Sequence, residues 1–190
     1  MINNISDIIV NYLDKNNVLK EEKDIYIHGA RLLISTFIGT SLLIIIGIIS
    51  HHFVEAIIYE IIIASSRSIL GGYHCKSYTK CIMTYVSMFL TGIILNCYIS
   101  FNYMSLLILE IISIIITYKY CPVQNINKMI SSIKYKKFKT YSMIYILIYI
   151  CLLNVLYILQ FQYIDILIYI LFLIQILTLG GIYDYEKSKN

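Results

Sequence analysis

The chain has 190 residues, of which 59% are hydrophobic and 14% charged, and it carries a formal net charge of +4. With a mean hydropathy of +0.76, it lacks the polar surface that a soluble domain of this length requires. The composition therefore excludes an ordinary soluble enzyme and points to an all-α, multi-pass membrane protein.

The first residues, NNISDIIVNYLDKNN, lack the basic leader, continuous apolar core and cleavage site of a signal peptide. Ile5, Ile8, Ile9, Tyr12 and Leu13 recur at the spacing of one helical face, with Asp7, Asn11 and Asp14 off that stripe. Two readings stand side by side for this segment: a helix lying in the membrane interface, or a short helix packed on the rest of the protein. The first region, 1–31, ends in the mixed-charge run KEEKDIYIHGAR.

Leu32 to Ser50 is 19 residues without a charge, close to the roughly 20 needed to cross hydrocarbon. After a turn at His51-His52, Phe53 to about Leu70 forms a second span that carries Glu55, Glu60 and Arg67. A loop over 67–81 reads RSILGGYHCKSYTKC. Ile82 to Tyr118 is too long for one crossing, and Ser100 and Asn102 divide it into two. A polar loop over 119–140 holds Cys121, Pro122 and the basic cluster Lys134, Lys136, Lys137 and Lys139. Tyr141 to Ile182 is again double, broken at Gln160, Gln162 and Asp165, and a polar tail covers 183–190.

These elements predict six transmembrane helices in a membrane unit over 32–182. With the N-terminus inside, the inner segments are 1–31, 67–81, 119–140 and 183–190. All 15 Lys and Arg residues then fall on the cytoplasmic side, the bias expected of a cell-membrane protein with both termini inside.

The 67–81 loop concentrates reactive side chains at that face. A cysteine thiolate is a strong nucleophile, and a nearby histidine can take its proton. Cys81 with His74 and Cys75 with His74 are both candidate dyads. Neighbouring residues usually point apart, which disfavours Cys75. His74 and Cys81 would lie roughly 10.5 Å apart along a continuous helix, so the loop must fold back, and Gly71-Gly72 provides backbone freedom there. A metal site is not expected, because His74, Cys75 and Cys81 lack a clear fourth ligand. Five cysteines without regular spacing argue against a disulfide framework. Glu60 and Arg67 lie seven residues apart on one face of the second span, and intramembrane charges are functional candidates by default. The lysine cluster suits anionic lipid or an acidic peptide. It gives no support for nucleic acid binding, being short and set against a membrane.

The pattern R-x3-GGYH-x6-C, between the second and third of six apolar segments, resembles the accessory gene regulator B family of Gram-positive quorum sensing. The resemblance extends to the amphipathic N-terminus and to the Pro-containing basic loop that follows span four. It implies a cytoplasmic-face cysteine endopeptidase without a cofactor. Such an enzyme cuts a small AgrD-type precursor peptide near its C-terminal end and promotes closure of a thiolactone or lactone ring. The family's catalytic Cys and His fall on Cys81 and His74, and its motif Arg and second Gly on Arg67 and Gly72. Gly71, Ser77 and Glu60 are candidate loop-orienting residues, and the four lysines candidate contacts for an acidic precursor tail. The family also leaves room for a homodimer. Cys75 departs from the pattern, since many members have Ala after the His. Two rival readings are a non-enzymatic peptide transporter and a membrane redox or metal sensor built on His74 and Cys81.

Overall fold

The computed structural model describes residues 2–16, 23–73, 75, 77–123 and 131–187. Among them the chain is all helical: α1 (Ile2–Lys15), α2 (Lys23–Ile49), α3 (Phe53–Leu70), α4 (Tyr78–Tyr98), α5 (Tyr103–Tyr120), α6 (Ser132–Ile158) and α7 (Ile164–Lys187). The helices break where the sequence places its polar interruptions. Ser50 folds its hydroxyl onto Ile46 O (2.7 Å) to end α2, and His51 turns the chain with a φ of 62°. Asn102 caps α5 by accepting from Ser105 N at 2.8 Å, the standard way to satisfy an orphan amide. Gln160, at a φ of 52°, turns the chain between α6 and α7.

Among the described residues five helices, α2, α4, α5, α6 and α7, are long and apolar enough to cross a membrane. Helix α3 has 18 residues but carries Glu55, Glu60 and Arg67, which sets it apart from the other five. The outward faces are strongly apolar: Leu33, Phe37, Ile48, Ile61, Ile94 and Ile115 are all exposed. Water would not sustain so much apolar surface, and lipid would.

Helix α7 is the centre of the bundle. It packs against α3, α4, α5 and α6, while α2 lies on α3 and α4. Twelve residues of α7, from Ile166 to Gly181, are buried. Tyrosine hydroxyls join these helices: Tyr149 donates to Leu167 O (2.9 Å) and Tyr169 to Met88 O (2.8 Å). A phenol inside an apolar bundle has to find an acceptor, and neighbouring carbonyls supply it. Asn154 of α6 donates to Glu110 of α5 at 2.7 Å, so the buried carboxyl of α5 has a partner in α6.

Helix α1 is a short helix packed on the rest of the bundle. It packs on α2 through buried Ser6 and Val10, pinned by Arg31 to Asp7 (3.0 Å) and Lys23 to Asp14 (2.8 Å). Ile5, Ile8, Ile9 and Tyr12 of the apolar stripe remain exposed.

Three boundaries differ from the sequence reading. The basic cluster is not in a loop, because α6 begins at Ser132 and includes it; nothing between Ser132 and the apolar run is a Gly or Pro that would break a helix. The polar tail continues α7 to Lys187. The 67–81 loop shrinks to 71–77, with Arg67 in the last turn of α3 and Cys81 in the first turn of α4.

Candidate functional site

Helix α3 stops at Leu70 because the next two residues adopt positive φ, 75° at Gly71 and 137° at Gly72. Only glycine occupies such conformations without strain. A side chain at Gly71 would also meet Val123 O at 2.6 Å. The turn is fastened on both sides by main-chain hydrogen bonds. Val123 N donates to Leu70 O (2.9 Å), and Tyr73 N donates to Leu177 O of α7 (2.9 Å). Ser77 is exposed and starts α4 through its carbonyl, which accepts from Cys81 N at 3.0 Å; its hydroxyl makes no capping bond.

Folding the turn back in this way brings Arg67 onto the loop and onto Cys81. The guanidinium donates from Nη2 to Tyr73 O at 2.9 Å, and its Nη1 lies 4.0 Å from Cys81 Sγ. Arg67, Tyr73, Cys75, Cys81, Thr84 and Tyr85 line a cavity of about 20 Å³, room for roughly one water. Cys75 is half-buried, with its sulfur 3.8 Å from Thr84 Oγ1. The neighbouring Cys75 pushes the Tyr73 hydroxyl above the ordinary phenol range. Thus two thiols share one small cavity. His74 lies outside the described residues.

Below the cavity, spacing on the two helices sets a second layer. Cys81, Tyr85 and Met88 follow one face of α4, while Tyr59, Ile63 and Arg67 follow the facing side of α3. Tyr85 donates a short hydrogen bond to Glu60 Oε2, and Thr40 of α2 donates to Glu60 Oε1 at 2.8 Å. Tyr59 donates to Tyr85 O (3.1 Å) and packs ring to ring with it at 5.1 Å. Glu60, expected on the same face of the second span as Arg67, is thus held by two hydroxyls that tie α2 and α4 to α3.

Lys134, Lys136 and Lys137 are exposed on the opening turns of α6. Lys139 is half-buried, with its ammonium 5.1 Å above the Tyr118 ring. Ser142, one turn further on, donates to Ile69 O of α3 (3.2 Å), so the basic turns and Cys81 occupy one end of the bundle. The larger cavity, about 610 Å³, lies at the opposite end among Phe101, Tyr157, Phe161 and Asp165. No cysteine or histidine lines it. Among the described residues no three His, Cys, Asp or Glu side chains converge as metal ligands would.

Tyr85, Thr40, Leu177 and Val123, which surround this site, belong to no motif in the sequence. Gly180-Gly181, a glycine pair inside an apolar run, is the available signal that a backbone approaches α7 closely.

The family model described as accessory gene regulator B matches residues 6–179. A Clostridium perfringens (strain 13 / Type A) protein with an AgrB-like designation is 29% identical over 152 residues, which cover 72% of this chain and 68% of that protein. No solved structure matches the chain. With the match running through nearly all of the helical bundle and the whole cysteine-containing turn, the chain belongs to the accessory gene regulator B family.

Proposed function

We propose that this protein is a membrane cysteine endopeptidase that processes an AgrD-type precursor peptide for quorum sensing. The observation that carries the reading is the approach of Arg67 to both Tyr73 O and Cys81 Sγ. It gathers the motif Arg, the glycine turn and the thiol around one small cavity, although they are up to 14 residues apart in sequence. Cys81 is the nucleophile and His74 its base. The guanidinium and the N-terminus of α4 place positive potential beside the sulfur, where negative charge develops during attack on a carbonyl.

The thiolate adds to the scissile carbonyl, and the C–N bond breaks. The amine of the C-terminal fragment leaves with the proton that His74 took from the thiol. An acyl-thioester on Cys81 remains. An upstream Cys or Ser of the peptide then attacks that thioester, closes a thiolactone or lactone, and returns the thiol. Passing the acyl group from Cys81 to another thiol is nearly isoenergetic and to a hydroxyl is downhill, so ring closure from the thioester needs no further energy source provided that water is kept out. The half-buried cavity and its aromatic floor supply that exclusion.

In this reading α3 is the sixth membrane span, its charges facing protein rather than lipid, and the Cys81 end of the bundle faces the cytoplasm. Every described Lys and Arg lies toward that end, as the positive-inside bias requires. Lys134, Lys136 and Lys137 meet an acidic precursor tail or anionic lipid headgroups there. A homodimer is compatible with the apolar outer faces. The test is precursor cleavage in liposomes. Cys81→Ala abolishes it, Cys75→Ala leaves it, and full activity in Cys81→Ala would overturn the proposal.

A further inference from the structure

Helix α7 approaches the 71–77 turn more closely than side chains allow. A Cβ at Gly181 would lie 2.6 Å from Gly72 C and 2.8 Å from Tyr73 N. One residue earlier, a Cβ at Gly180 would meet the Tyr73 side chain at 3.5 Å, an ordinary contact. At the same place Leu177 O, one turn before Gly181, accepts from Tyr73 N at 2.9 Å. Gly181 is buried in a helix whose other buried positions are mostly large, and glycine there costs about 1 kcal/mol against alanine in helix propensity. Its small size has a use only where the turn rests on it.

We propose that Gly181 and Leu177 O form the seat that positions the nucleophile. The seat fixes Tyr73 through its amide; the Tyr73 carbonyl fixes Arg67, and Arg67 faces Cys81. Gly181 is therefore a positioning residue, acting through the turn and never touching substrate. This rests on the endopeptidase reading for its catalytic consequence, but not for its structural one. A methyl group at 181 has to push the turn away by about 1 Å to reach normal contact distance. Near a reacting centre a shift of that size costs on the order of a hundredfold in rate.

The experiment compares Gly181→Ala and Gly180→Ala with the wild-type full chain in liposomes. Cleavage of the cognate precursor gives kcat and KM, and peptide mass spectrometry gives the rate at which iodoacetamide alkylates Cys81. For Gly181→Ala, kcat and the Cys81 alkylation rate are expected to fall about tenfold or more while KM changes little. Gly180→Ala is expected to stay within about twofold on each measure, since alanine suits a helix. A purely structural role for Gly181 would lower the amount of folded protein without slowing Cys81 in the molecules that fold. Equal Cys81 reactivity in Gly181→Ala and wild type overturns the proposal. Amide exchange provides a check without any variant: Tyr73 N–H is expected to be protected in wild type, and free exchange there also overturns the seat. If wild type cleaves no precursor, the endopeptidase reading falls, whereas the alkylation contrast between the two alanine variants still decides the seat.

Discussion

Arg67→Lys keeps the positive charge and removes the fork, and the geometry says how much that costs. The guanidinium reaches two points, Tyr73 O at 2.9 Å and Cys81 Sγ at 4.0 Å. An ammonium concentrates its three donors on one nitrogen and lacks the rigid fork that spans both points. If it stays near the sulfur, the charge-assisted bond to Tyr73 is lost, worth about 1.5–3 kcal/mol. At about 1.4 kcal/mol per tenfold, this corresponds to a loss of roughly 10- to 150-fold. The loss belongs in kcat, because the arginine orders the turn and the thiol. An arginine that held the carboxylate of the precursor would raise KM instead. Precursor cleavage in proteoliposomes at saturating and limiting peptide separates the two. Arg67→Met, which removes the charge as well, is expected to lose more than Arg67→Lys. A lysine variant within about twofold of wild type in kcat would refute this account of Arg67.

Four other perturbations follow from contacts around the site. Gly71→Ala forces a side chain into positive φ and against Val123 O; cleavage is expected to fall by about tenfold or more, from strain of about 1–2 kcal/mol plus the clash. Tyr85→Phe strips one of two hydroxyl donors from Glu60, a cost of about 1.5–3 kcal/mol that should appear as a lower melting temperature in detergent. Cys121 is fully buried, and burial pushes its thiol from 9.0 up to about 11. It is expected to resist maleimide at neutral pH. The neutral thiol is favoured in the folded state, so the stability it contributes is complete below pH 9.0 and lost as pH rises through about 11; thermal unfolding of Cys121→Ala should lack that alkaline drop. Reversing Lys134, Lys136 and Lys137 to Glu is expected to raise KM for acidic-tailed precursors and spare neutral-tailed ones, whereas an equal loss for both would point to lipid.

The ends of the elements are readable in the sequence because a membrane helix tolerates few polar residues, so His51, Asn102 and Gln160 stand out at the turns. What hydropathy cannot rank is which helix lies at the centre. Lipid and protein interior are equally apolar, and α7, exposed only along the stripe Phe172, Ile176, Leu179 and Tyr183 over its apolar length, is as rich in Leu and Ile as the far more exposed α2. The basic cluster reads as a loop by polarity alone, yet lysine and tyrosine sustain a helix when no Gly or Pro interrupts them. At the site, the motif residues are legible by type, and the glycines correctly mark a reversal of the chain. The contacts that give them geometry are not legible. Leu177 O and Val123 N are main-chain groups, invisible to any reading of side-chain type. They come from distant parts of the chain, and only folding brings them to Tyr73 N and Leu70 O.

The account stands or falls on the sulfur that carries the peptide. Wild-type protein in liposomes, mixed with cognate precursor and quenched in acid, is expected to yield an acyl-thioester at Cys81. Intact mass would show the N-terminal fragment attached, and hydroxylamine would release it. The Cys81→Ala protein should carry none. An adduct on Cys75, or release of the fragment with no adduct on either thiol, would contradict the assignment of Cys81 as nucleophile.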